Sequence, residues 1–214
     1  MEKNIEDFVL SKLENDKTGH DFHHSIRVKN TAVYIASKEG NCDMEIVICA
    51  SLLHDVCDVK ICKDPQQAKA EMTSVMERNG LSAAKIEKVM EIINSMSFKG
   101  ANVDTSMRTS EGKAVQDADR LDALGAVGIA RCFAYGGSVG HQIYDPSVAP
   151  TMHSSEAEYR SHKGTSISHF YEKLLLLKDK MQTNIGKSLA ERRTKYMEDF
   201  LSEFYDEWNG LDIK

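Results

Sequence analysis

Four side chains able to bind a divalent cation lie in three separate stretches of this sequence. His24 comes first, the pair His54-Asp55 follows, and Asp119 completes the series. Two imidazoles and two carboxylates form a mixed nitrogen and oxygen donor set, which suits a divalent ion that activates water. The order of these residues predicts one metal centre assembled from distant parts of the chain.

The acidic stretch offers more than one carboxylate for this centre. Asp117 and Asp119 are two residues apart, so on a helix they point to different sides. Asp117 shares a face with Leu121 and Leu124, whereas Asp119 shares one with Asp122. Only one of the first two is expected to contact the ion, and periodicity alone leaves that choice open.

Each feature also has a plainer interpretation, in which the histidines near His24 and the aspartates beside Arg120 are solvated side chains. The combination favours a metal because residues 44–56, MEIVICASLLHDV, are otherwise apolar and end in His54 and Asp55. These two side chains lie about 100° apart on a helix and can flank one ion at their seam. Buried polar groups need partners, and a metal is one way to supply them.

The elements that position these residues are all predicted to be helices, and no segment resembles a β-strand. The predicted helices cover about 5–14, 21–40 with Asp21 as the N-cap, 44–56, 65–79, a segment capped by Ser82, and a segment capped by Ser110 that runs to Gly136-Gly137. Residues 138–164 lack periodicity and predict a loop-rich, lid-like excursion. Residues 165–208 predict one or two long helices. We therefore expect an all-α, single-domain helical bundle over residues 1–214.

Composition excludes several classes of protein. The chain has 214 residues, and its net charge of -6 argues against binding to nucleic acid polymers. The charged N-terminal stretch is neither a signal peptide nor a membrane span. Five cysteines without C-x-x-C spacing indicate free thiols and a cytoplasmic protein. The apolar content of the C-terminal helices would allow a homodimer, and the sequence leaves the oligomeric state open.

Two other sites based on cysteine have weaker support. A zinc site from His54, Cys57 and Cys62 lacks paired spacing and an obvious fourth ligand. A nucleophilic Cys–His dyad is conceivable, but no cysteine stands out as its nucleophile.

Several stretches together resemble the HD superfamily of metal-dependent phosphohydrolases. These are GHDFHHSIRV (19–28), SLLHDVCD (51–58) and VQDADRLDALGAVGIARCFAYGG (115–137). The sequence is similar, more narrowly, to small bacterial HD proteins that act as nucleotide pyrophosphohydrolases, through MSFKG (96–100) and HFYEKLLLLKDKM (169–181). The resemblance covers nearly the whole chain and implies the helical fold of that family.

The resemblance also implies roles for individual residues. The metal ligands fall on His24, on the pair His54 and Asp55, and on Asp119, which leaves Asp117 as a neighbour of the ligands. Asp58, three residues after the HD aspartate, occupies a position that some superfamily members use for proton transfer.

The donor set favours one Mn²⁺ or Mg²⁺ ion, and Fe, Co or Ni are also compatible with it. A second metal, as in dinuclear HD enzymes, would need histidines from the later part of the chain, and nothing in their spacing demands it. The histidines concerned are His141, His153, His162 and His169.

The substrate expected from this resemblance is a phosphorylated small molecule, and basic side chains near the motifs should hold its phosphates. The best candidates are Arg27, Lys60, Lys99 and Arg120. The leading function is hydrolysis of nucleoside triphosphates, including deoxy forms, to monophosphate and pyrophosphate. The alternatives are a nucleoside monophosphate phosphatase, a cyclic-nucleotide phosphodiesterase and a non-catalytic nucleotide-binding regulator.

Overall fold

The structure, a computed structural model, describes residues 1–16, 18–58, 62–155, 157–158 and 164–213. These residues form helices and no strand, which confirms the predicted all-α class. The helices are α1 (Glu2–Leu13), α2 (Phe22–Glu39), α3 (Met44–Leu53), α4 (Pro65–Arg78), α5 (Ala83–Ser95), α6 (Ser110–Asp122), α7 (Gly125–Ser138), α8 (Ser166–Glu172) and α9 (Asn184–Trp208), with a 3₁₀ helix (Leu174–Lys180) between the last two. None of the described helices combines the length and apolar character needed to cross a bilayer.

Helix α3 lies at the centre of the bundle, as its apolar sequence predicts. It packs against α1, α2, α5 and α6, and nearly every residue from Ile46 to Leu53 is buried. A helix that is apolar on all sides is stable only when other helices surround it. The end of α3 is therefore deep inside the fold.

Helix α2 starts at the N-cap predicted for it. The Asp21 carboxylate accepts a hydrogen bond from the His24 backbone N–H at 2.8 Å. His24 consequently lies in the first turn of α2, where this helix packs against α3 and α6. Capping thus fixes the start of the helix and places the imidazole between three elements.

The predicted helix over residues 44–56 ends earlier, at Leu53. Beyond it, Val56 N–H donates to Leu53 O and Asp58 N–H donates to Asp55 O, so tight three-residue turns replace the α-helical ladder. His54 and Asp55 therefore lie in a turn at the buried end of α3 rather than within the helix.

The long helix predicted from Ser110 to Gly136-Gly137 is two helices, and its N-cap is Thr109. The break lies at Leu124, whose backbone is extended, and at Gly125, whose φ of 71° is unfavourable for other residues. A β-carbon on Gly128 would lie 2.2 Å from the Ala123 carbonyl oxygen, so the joint needs glycine there. The glycine pair does not end α7, which continues to Ser138.

The C-terminal region contains one long helix, α9, preceded by the short α8 and the 3₁₀ helix. The described part of the 138–164 excursion is attached to α8, because Ser166 and Ile167 donate backbone hydrogen bonds to Gln142 and Ile143. Its function as a lid stays a prediction. The homodimer also stays a prediction, although α9 exposes large apolar side chains. These include Tyr196 and Trp208.

Candidate metal centre

The fold brings the four predicted ligands together at the buried end of α3. The Nε2 atoms of His24 and His54 are 3.1 Å apart, and Asp55 Oδ2 lies 3.4 Å from each of them. Asp119 Oδ1 lies 3.4 Å from His24 Nε2 and 3.7 Å from His54 Nε2. Both imidazoles and the Asp55 carboxylate are buried, whereas the Asp119 side chain is 32% exposed. The cluster therefore opens to solvent on the Asp119 side.

Hydrogen bonds determine the tautomer of both imidazoles. His24 Nδ1 lies 2.7 Å from Asp122 Oδ2, and His54 Nδ1 lies 2.8 Å from the Ser51 carbonyl oxygen. Since a carboxylate and a carbonyl oxygen only accept, both Nδ1 atoms donate a proton to them. In the neutral rings the Nε2 lone pairs then face each other and the two carboxylates.

The charges of the cluster influence one another strongly. Burial lowers the pKa of His24, but contacts with Asp119, Asp122 and Asp55 raise it to about 10. Burial raises the pKa of Asp55, but the nearby imidazoles of His54 and His24 hold it well below its usual range. The same competition lowers the pKa of Asp119 to about 2. Both carboxylates are therefore ionised at neutral pH, and the cluster attracts positive charge.

The donor set fits a divalent cation. Asp55 Oδ2 is buried and has no hydrogen-bond partner among the described residues, which is unfavourable for a carboxylate unless a cation contacts it. The two Nε2 atoms lie 3.1 Å apart, and the Asp55 and Asp119 oxygens lie 3.4–3.7 Å from them; nitrogen and oxygen donors of these kinds bind divalent metals. These four side chains would hold the ion.

Asp122 connects the cluster to two arginines. Its carboxylate accepts from His24 Nδ1, from Arg27 Nε and Nη2 at 2.8 and 2.9 Å, and lies 3.1 Å from Arg131 Nη1. Burial raises the pKa of Asp122, but His24 and Arg27 hold it far below its usual range. A carboxylate that orients a metal-binding imidazole through its other nitrogen is a common partner in such sites.

Asp117 lies on the opposite side of α6 and contacts none of these groups. It accepts hydrogen bonds from the backbone N–H groups of Gln182 and Thr183 and from the Thr183 hydroxyl. This side chain therefore supports the start of α9, while Asp119 faces the cluster.

Comparison with known proteins assigns the family. The HD domain model matches residues 21–124, a range that contains all four clustered side chains. The Bacillus subtilis protein YpgQ, which is described as uncharacterized, is 36% identical over 211 residues, which cover 98% of this chain and 95% of YpgQ. This chain belongs to the HD superfamily of metal-dependent phosphohydrolases.

Several solved structures share the fold of this chain over nearly its whole length. A Lactobacillus plantarum protein matches with a TM-score of 0.87 and 38% identity, over 98% of this chain and 97% of that one. An HD-superfamily hydrolase from Bacillus thuringiensis matches with a TM-score of 0.74 and 40% identity, over 97% and 96% of the two chains. YpgQ in complex with ADP matches with a TM-score of 0.77 and 35% identity, over 97% of both chains.

Asp58 lies in the turn that follows the HD pair. Its backbone N–H donates to Asp55 O at 3.0 Å, and its carbonyl accepts from Cys62 N–H at 2.8 Å. These bonds tie its position to that of Asp55. Lys60, one of the predicted phosphate-binding residues, lies outside the described residues.

The other predicted phosphate-binding residues differ in where they point. Arg27 is 38% exposed and lies beside the cluster through Asp122. Lys99 is half-buried in the segment between α5 and α6. The Arg120 guanidinium is buried and binds the Lys180 carbonyl oxygen and the Thr105 hydroxyl, so it points away from His24 and His54.

The alternative metal sites do not form in the described part of the chain. The group of three or more potential ligands found there consists of His24, His54 and Asp55, without Cys57 or Cys62. His141, His153 and His169 form no such group in these ranges. His162 lies outside the described residues.

The sequence did not single out two residues beside the cluster, Asp122 and Arg131. Asp122 had a signal, since it is three residues after Asp119 on the same helix face. Arg131 had none, because α7 approaches Asp122 only through tertiary packing.

Proposed function

We propose that this HD protein hydrolyses nucleoside triphosphates to the monophosphate and pyrophosphate with one bound divalent metal ion. The observation that carries the proposal is the pair of Nε2 atoms 3.1 Å apart beside two ionised carboxylates, with Asp55 Oδ2 unsatisfied. This arrangement suits a divalent cation close to an opening to solvent. We propose His24, His54, Asp55 and Asp119 as its ligands.

A nucleotide is the substrate class that relatives support. YpgQ, which shares the fold over its whole length, has been crystallised in complex with ADP. ADP carries the diphosphate group that a triphosphate also presents. We extend this ligand class to the present chain, whose cluster has an exposed edge at Asp119 and a partly exposed arginine, Arg27, next to it.

The reaction adds water to a phosphorus atom and breaks the bond between the α- and β-phosphates. A divalent cation in this donor set lowers the pKa of water and offsets negative charge on phosphoryl oxygens. The protein holds the donors in place through the Nδ1 hydrogen bonds of both imidazoles. We propose that Asp58 carries a proton between water and the leaving group.

We propose Mn²⁺ or Mg²⁺ as the physiological metal, because half of the donors are carboxylate oxygens. Fe, Co and Ni remain compatible with the two imidazoles. Among the predicted phosphate-binding residues, Arg27 and Lys99 are partly exposed. We propose that these two side chains contact the phosphates of the substrate.

The test is a product analysis. Purified protein is incubated with Mn²⁺ and a panel of ribo- and deoxyribonucleoside triphosphates, and pyrophosphate and orthophosphate are measured separately. We expect pyrophosphate and monophosphate in equal amounts. Orthophosphate alone would contradict the proposal.

The same panel, extended to nucleoside monophosphates and cyclic nucleotides, separates the alternatives. Release of orthophosphate from monophosphates would identify a phosphatase. Hydrolysis of a cyclic nucleotide to a monophosphate would identify a phosphodiesterase. Nucleotide binding without any turnover would identify a regulator.

A further inference from the structure

A polar cavity of about 380 Å³ lies between the loop that joins α5 to α6 and the end of the 3₁₀ helix. The loop contributes residues 101–106, the 3₁₀ helix and the residues after it contribute 179–182, and Arg120 of α6 lines the cavity between them. None of the four proposed metal ligands lines it. The cavity is therefore separate from the metal centre.

Two cations of this cavity are held by the same short stretch of loop. Arg120 Nη2 donates a hydrogen bond to Thr105 Oγ1 at 2.8 Å, and Lys180 Nζ lies 3.5 Å from Val103 O. Arg120 Nη1 also donates to the backbone carbonyl of Lys180. These contacts bring a guanidinium and an ammonium group to one cavity.

The partners of both cations are neutral. They are two carbonyl oxygens, one hydroxyl and the Phe98 ring, whose centre lies 5.9 Å from Lys180 Nζ. Among the described residues neither cation forms a salt bridge, and the guanidinium has more N–H groups than these bonds use. Arg120 is only 5% exposed, and a buried cation with neutral partners alone is unfavourable.

The charge on Lys180 responds to the same surroundings. Burial lowers the pKa of Lys180, the nearby Arg120 lowers it further, and Asp104 raises it. The Asp104 carboxylate already accepts hydrogen bonds from the Ser106 backbone N–H at 2.9 Å and from the Ser106 hydroxyl at 2.6 Å. Asp179, the other carboxylate that lines the cavity, is exposed. Positive charge therefore prevails at the buried side of the cavity, where Arg120 lies.

We propose that this cavity binds a diphosphate group between Arg120 and Lys180, as free pyrophosphate or as the tail of a nucleotide. The planar guanidinium suits a pair of phosphate oxygens, and the ammonium binds phosphate as a point charge. Thr105 Oγ1 accepts from Arg120, so its own proton is available to a third oxygen. The site needs no metal and does not depend on the proposed reaction.

The test is titration calorimetry with inorganic pyrophosphate in EDTA, where the metal centre holds no ion. Lys180→Met removes the ammonium group from the cavity. Lys178→Met is the matched control, because Lys178 is half-buried on the same 3₁₀ helix but does not line the cavity. Asp179→Asn removes a negative charge from the cavity lining.

We expect the wild type to bind pyrophosphate in EDTA and Lys180→Met to bind it about tenfold to a hundredfold more weakly. Lys178→Met should stay within about twofold of the wild type, and Asp179→Asn should bind about twofold to fivefold more tightly. A merely structural role of the two cations would produce no such gain. Lys180→Gln replaces the methionine variant if circular dichroism shows that the latter is misfolded.

A wild type that binds no pyrophosphate in EDTA would overturn the proposal, as would equal affinities of the wild type and the Lys180 variant. His54→Ala, which alters the metal centre, should keep the affinity of the wild type in EDTA, and loss of binding there would place the anion at the metal centre instead. Titration with ADP identifies the source of the diphosphate: equal affinities indicate that nucleotides are accepted, and weaker binding of ADP indicates free pyrophosphate.

Discussion

Asp122 Oδ2 lies 2.7 Å from His24 Nδ1 and fixes the direction in which that imidazole faces the metal centre. The two residues are far apart in sequence, on α6 and α2, and both are buried. Arg27 and Arg131 bind the same carboxylate and keep it ionised. The orientation of the His24 imidazole therefore depends on a network that reaches α7.

We expect Asp122→Asn to weaken Mn²⁺ binding by about tenfold to a hundredfold, because the neutral amide holds the His24 proton less strongly. Competition with a fluorescent chelator measures the affinity. Arg27→Met is the control, since it removes a guanidinium but keeps the acceptor of His24. A larger loss in Arg27→Met than in Asp122→Asn would assign the effect to the arginine.

We expect His54→Ala and Asp55→Ala to lose bound metal and turnover while circular dichroism still shows the helices. Each variant removes one donor, so that the three remaining donors hold the ion less tightly. His23→Ala, at an exposed neighbouring histidine, is the control and should retain both. Full metal content and rate in either ligand variant would show that the assigned centre is wrong.

We expect Asp58→Ala to slow turnover by about a hundredfold or more while metal content stays that of the wild type. The reason is that Asp58 is proposed to move a proton and not to bind the ion. Single-turnover rates and metal analysis on the same sample separate the two effects. Equal rates in variant and wild type would remove Asp58 from the reaction.

The metal-free protein should lose stability at alkaline pH. The folded-state pKa of His24 is about 10, above its ordinary value of 6.5. A raised pKa contributes stability that is complete below pH 6.5 and is lost as pH rises through about 10. We expect the Tm in EDTA to fall over this range, and Mn²⁺ affinity to rise because binding displaces the proton. A flat Tm profile in EDTA would contradict the charge network described for His24.

We expect Gly186→Ala to destabilise the fold by about 1–3 kcal/mol. A β-carbon at Gly186 would lie 2.4 Å from Asp117 Oδ2 and 2.7 Å from Thr183 Oγ1, where Asp117 supports the start of α9. Gly137→Ala on α7 is the control, since nothing lies within 4 Å of its added β-carbon. That change should stabilise by roughly 0.5–1 kcal/mol in urea unfolding. Equal effects of the two substitutions would argue against the Asp117 contact.

Features that depend on residues adjacent in sequence could be predicted. The Asp21 cap and the apolar run of α3 depend on neighbouring residues, so the sequence alone places His24 and the His54-Asp55 pair. The predicted helix over residues 44–56 extends beyond the observed end of α3 at Leu53, because tight three-residue turns follow that residue. Periodicity cannot detect such a change.

Periodicity could not predict which of two nearby aspartates faces the cluster, because that depends on residues distant in sequence. Asp117 and Asp119 differ because Asp117 accepts from Thr183, which is 66 residues away. The resemblance to HD proteins, and not spacing, singled out Asp119.

The break between α6 and α7 allows Arg131 on α7 to contact Asp122 at the end of α6. Along one straight helix, Arg131 would lie about 13 Å beyond Asp122, yet its Nη1 atom lies 3.1 Å from that carboxylate. The break at Leu124 and Gly125 separates the two helices, and the Arg131 side chain contacts Asp122 across it. The length of this joint is therefore matched to the contact: we expect that inserting a single residue there would separate Arg131 from Asp122, while the four proposed metal ligands, which all precede the joint, keep their places.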